Sequence, residues 1–139
     1  MFIQESDYKV VIGETALKVV TQADQETRAN AELEAVEEIS GYLRPKYDCR
    51  AIFEAVGENR NRQILMYACD IALYHMAASL PNKMGMEIRK ERYERAIEWL
   101  KQVQSGVVIP DLPEATTESG ESAAPSIRYG SKPCVDNSY

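Results

Sequence analysis

The sequence predicts an all-α fold, a small helical bundle containing an antiparallel helical hairpin, and three observations carry that prediction. Apolar residues recur at helical spacing along three long segments, at about residues 24–43, 60–80 and 84–104. Pro45 and Pro81 stand at the ends of such segments rather than inside them. The composition, 45% hydrophobic and 27% charged in 139 residues, is that of one ordinary folded domain with a single core.

The chain opens with SDYKVVIGETALKVV, which predicts a short helix capped by Ser6 or Asp7 and closed by Gly13. A second short element through Val20 follows, its type left ambiguous by β-branched residues. Between residues 24 and 43, Ala29, Leu33, Val36, Ile39 and Leu43 form an apolar stripe with Glu32, Glu34, Glu37 and Glu38 off it, an amphipathic helix. Residues 44–59 show no sustained period and predict a long ordered loop with one helical turn around residues 51–56. Helices then run over about 60–80 and 84–104. The turn at Pro81 and Asn82 between them is so short that they pair as an antiparallel hairpin, and Gly106 stops the second.

Beyond Gly106 the composition changes. Four of the six prolines and the stretch EATTESGESAAPS mark residues 107–139 as an extended or flexible C-terminal arm, beside a helical domain of residues 1–106. The arm's last part regains Ile127, Arg128, Tyr129, Val135 and Tyr139. These are either anchors that dock on a neighbouring subunit or partner, or part of a disordered terminus.

Charge is unevenly spread. Residues 1–43 hold 3 basic and 9 acidic groups, whereas residues 44–105 hold 11 and 8. Either one copy's acidic front meets another's basic middle, or these are two solvated faces of a monomer. The overall charge of −6 is wrong for wrapping nucleic acid. The N-terminus lacks the pattern of a signal peptide, and the apolar run 64–80 is too short and too interrupted to span a membrane.

Residues 64–80 contain Cys69, Asp70 and His75, the residue types of a catalytic or metal site. At about 100° per residue they fall on three different sides of one helix, so no nucleophile, base and orienter converge. We therefore expect no catalytic residues and no metal site here. Asp70, buried, needs a cation. The hairpin brings Arg92 within reach, so an Asp70–Arg92 ion pair is expected, with Arg89 the other possible donor.

Three segments, ISGYLRPKYD (39–48), RNRQILMYACDIALYHM (60–76) and IRKERYERAIEWLKQVQSG (88–106), together resemble the head-to-tail connector proteins of Mu-like bacteriophages and prophages. The resemblance spans about residues 24–106. It implies a structural virion protein, made in the bacterial host cytoplasm and placed in the neck at the head-tail junction. It further implies an adaptor ring, twelvefold by analogy, between the portal protein and a tail terminator, stopper or other neck protein, with no cofactor and no membrane. DNA would pass through the lumen without sequence-specific binding. Glu32, Glu34, Glu37 and Glu38 would supply an acidic face toward the lumen or between subunits. The rival reading is a small cytosolic helical protein-binding or regulatory module.

Overall fold

A computed structural model describes residues 2–11, 13, 24–79 and 86–116. Among the described residues five helices and a 3₁₀ turn make an all-α bundle: α1 (residues 5–11), α2 (Gln25–Leu43), α3 (Cys49–Glu54), the 3₁₀ turn Gly57–Asn59, α4 (Arg62–Ser79) and α5 (Met86–Ser105). Helices α2, α4 and α5 pack on one another in turn, α4 contributing most to the core, and α3 lies against α2.

Local chemistry sets the helix ends. The Asp24 side chain accepts from Thr27 N at 2.7 Å and opens α2, and Asp48 accepts from Ala51 N at 3.1 Å to open α3. Asn61 Oδ1 accepts from both Gln63 N and Ile64 N at 3.0 Å at the start of α4. α5 ends where Gly106 takes φ 85°, a left-handed turn that returns Gly106, Val107 and Val108 N–H groups to the carbonyls of Val103 and Gln102.

The fold departs from the sequence expectation in three places. α1 begins ahead of both Ser6 and Asp7. Asp7 caps it from inside, reaching back to accept from Gln4 N at 2.7 Å, as the third residue of a capping box does. The expected loop 44–59 holds a helix two residues earlier than the predicted turn, because Asp48 supplies the cap. The third departure is the largest. Residues 107–116 do not hang free: Asp48 N donates to Pro113 O at 2.8 Å and Ala115 N to Lys46 O at 3.1 Å, an antiparallel bridge pairs Tyr47 with Glu114, and Leu112 is buried. The packed body therefore continues past Gly106. The second N-terminal element, the turn at Pro81 and Asn82, and the arm residues Ile127, Arg128, Tyr129, Val135 and Tyr139 lie outside the described residues.

Tyr67, early in α4, meets Trp99, late in α5, whereas Asp70 and Tyr74, further along α4, meet Arg92 and Tyr93 in the first half of α5. The hairpin is antiparallel. Its core side is filled by Ile64, Ile71, Met76, Leu100 and Val103, which are almost completely buried, together with Ile39 and Leu43 of α2.

Candidate functional site

The polar chemistry of the molecule is concentrated where helices meet, in three groups. In the first, Arg92 Nε donates to Asp70 Oδ1 at 2.7 Å across the α4–α5 hairpin. The Asp70 side chain is 4% exposed and that of Arg92 28%, so the carboxylate depends on this guanidinium. Burial raises the Asp70 carboxyl above its ordinary value, while the hydrogen bond and charge of Arg92 hold it down. Arg89, the other donor considered, makes no contact with Asp70 at hydrogen-bond range. Its Nη1 is buried with no hydrogen-bond partner among the described residues, and burial together with the neighbouring Arg92 charge lowers its pKa.

The second group ties the N-terminus to the bundle. The completely buried Tyr8 donates its hydroxyl to Glu32 Oε1 at 2.8 Å, and Arg28 Nε lies 3.5 Å from the same oxygen. Nearby, Arg60 donates to Asp7 twice, at 2.7 and 3.2 Å, and to the carbonyls of Phe2 at 2.7 Å and Gly57 at 3.0 Å. Nothing in the sequence pattern pointed to this clamp, since Arg60 and Asp7 stand 53 residues apart.

The third group is a seam between α2, α4 and α5. His75 presents Nδ1 3.8 Å from Glu34 and Nε2 3.6 Å from Glu38, while Tyr93 donates to Glu38 at 2.5 Å and stacks on Tyr74 with ring centroids 4.2 Å apart.

These contacts correct the expected acidic face. Glu32 is not on an outer surface but 4% exposed in the core, and Glu38 is half-buried in the seam. Glu34, beside His75, and Glu37 keep to the surface, 64% and 79% exposed, so two of the four glutamates remain on an outer face. Small Ala31 and Ala35 are buried in place of Ala29 and Leu33, leaving Leu33 56% exposed. Alanines admit a close helix approach, and Glu32 can enter because Tyr8 and Arg28 satisfy it. The signal available in the sequence was the alanine pair at a four-residue step. Its meaning depended on Tyr8.

Burial raises the thiol of Cys69 and the hydroxyls of Tyr8 and Tyr93 above their ordinary ranges, the glutamate partners adding to it for both tyrosines. The folded chain thus keeps protons that the unfolded chain releases above about pH 9–10. Stability is expected to fall as pH rises past 10, read as a lower urea midpoint at pH 11 than at pH 8. Tyr8→Phe should cost about 2 kcal/mol at pH 8, by depriving buried Glu32 of its donor, and should flatten that alkaline loss.

Among the described residues no group of three or more His, Cys, Asp or Glu is placed to hold a metal ion, and no helix is long and apolar enough to cross a membrane.

Fold and contacts define the class: a small all-α protein whose buried polar groups join its helices. The chain belongs to the family Bacteriophage Mu, Gp36, which it matches over residues 2–128, and it is accordingly a Mu-like phage protein. The match includes Ile127 and Arg128 of the arm and stops short of Tyr129, Val135 and Tyr139. No curated protein and no solved structure matches the chain significantly.

Proposed function

We propose that the protein is a structural component of the virion, a head-to-tail connector that forms a ring between the portal vertex and the tail and lets DNA pass without reading its sequence. Family membership over residues 2–128 is the observation that carries this reading. The geometry is compatible with it: the polar side chains are engaged in holding helices together, and the exposed surface offers separate acidic and apolar areas for protein contact. In this reading the protein turns over no substrate, and its partners are further copies of itself, the portal protein and a tail terminator, stopper or other neck protein.

The test is the mass of the full chain in solution, alone and with the portal protein, by native mass spectrometry or light scattering. A large closed oligomer, or a monomer that becomes one only on the portal, is the expected result. A stable monomer or dimer that ignores the portal would overturn the connector and favour a small helical binding module.

A further inference from the structure

Two exposed surfaces remain that the internal contacts use only in part, Glu37 lying 3.9 Å from the exposed Arg44 and Arg92 holding Asp70 by its Nε, and they are complementary. On the outer side of α2, Glu26, Asn30, Leu33 and Glu37 follow at steps of four, three and four residues, one continuous stripe, all of them exposed. Leu33 is an apolar knob in an acidic setting. Between α1, α4 and α5 lies a groove with an apolar floor of Val11, Leu65 and Met66 and a rim of Val10, Arg62 and Arg92. Val10 is 90% exposed there and Met66 36%. Arg62 has no carboxylate partner among the described residues, and Arg92 offers Asp70 only its Nε, leaving its outer nitrogens. Asp7, the one carboxylate on the groove wall among the described residues, is already held by Arg60.

The two surfaces look out from opposite sides of the molecule. His75 faces α2, meeting Glu34 and Glu38, and Met66 stands nine residues earlier on the same helix, about 180° away at roughly 100° per residue. Leu33 likewise stands about 160° from Ala35, which is buried in the core.

We propose that the groove of one copy receives the α2 stripe of the next, with Leu33 on the apolar floor and Glu37 against Arg62. Opposed, non-identical surfaces make this a head-to-tail contact, which repeats until it closes on itself. The proposal rests on the ring reading above and names the surfaces through which the ring is built. Charge complementarity at the rim sets the register and buried apolar surface holds it.

The experiment is a charge swap in the full chain, followed by light scattering alone and with the portal protein. Glu37→Arg and Arg62→Glu are each expected to weaken self-association about tenfold, and the two together in one chain to restore it. Both side chains are exposed, and an unchanged melting curve for each variant separates lost assembly from lost folding. As a second reading, a chain carrying both Leu33→Cys and Met66→Cys should give a ladder of covalent multimers on oxidation. Each single replacement should give no more than the native cysteines do. If the wild type assembles, unaltered assembly of both charge variants, or failure of the pair to restore it, overturns the interface while the ring stands. The absence of a ladder does the same. A wild type that stays small both alone and with the portal protein overturns ring and interface together.

Discussion

Replacing Arg92 by Met is expected to destabilise the fold by about 3 kcal/mol at pH 7, because it strands the Asp70 carboxylate in the core. For a domain of this size the melting temperature would drop by roughly 10 °C. The loss should depend on pH, and its sign follows from Asp70. Burial already raises that carboxyl above its ordinary value of 3.8, so its charged form works against the fold as pH rises through the folded value. Without Arg92 the carboxyl rises further, so the variant suffers most at neutral pH. Toward acid pH, as Asp70 takes up its proton, the gap between variant and wild type should narrow. Asp70→Leu combined with Arg92→Met removes both charges and should recover most of the loss. Denaturant titrations of the three proteins at pH 4 and pH 7 read all of this. A loss below about 1 kcal/mol at pH 7 would show that Arg89, whose Nη1 is buried without a partner, turns to Asp70 in place of Arg92.

Shortening the chain after Gly106 is expected to cost about 3 kcal/mol, whereas shortening it after Thr116 should leave the fold unchanged. The difference lies in ten residues. Leu112 is 8% exposed, and its burial contributes about 2 kcal/mol. The bonds from Asp48 N to Pro113 O and from Ala115 N to Lys46 O add about 1 kcal/mol between them after exchange with water. Thermal melts of the two shortened chains distinguish a packed return strand from a loose arm. The chain ending at Thr116 is then the one suited to asking what residues 117–139 contribute to assembly, since a defect seen with it would not be a folding defect.

Much of the molecule was legible in the sequence, and the particular residues show why. Asp70 declared itself because a carboxylate inside an apolar helix has few tolerable environments, and helical geometry left Arg92 and Arg89 as donors within reach. Cys69 and His75 were separable from it by angle alone, and the structure keeps them in different surroundings: Cys69 buried, His75 between Glu34 and Glu38. Periodicity misled on α2, where it ranked Leu33 inside and Glu32 outside. An apolar moment weighs each side chain by its own transfer energy. Burial in this helix is decided instead by how closely it can approach α4 and by a hydroxyl 24 residues earlier in the chain.

The sequence by itself determined the all-α class, the long helices and where they stop, the antiparallel hairpin and the pairing need of Asp70. Caps, breakers and helical spacing act over a few residues, and a short turn leaves two helices one way to pack. Only the tertiary structure decided which face of α2 is buried, that Arg60 clamps Asp7 and the Phe2 carbonyl, and that residues 107–116 return to the body. Those outcomes depend on partners tens of residues away, whose hydrogen bonds and packing outweigh the local preference of any single side chain.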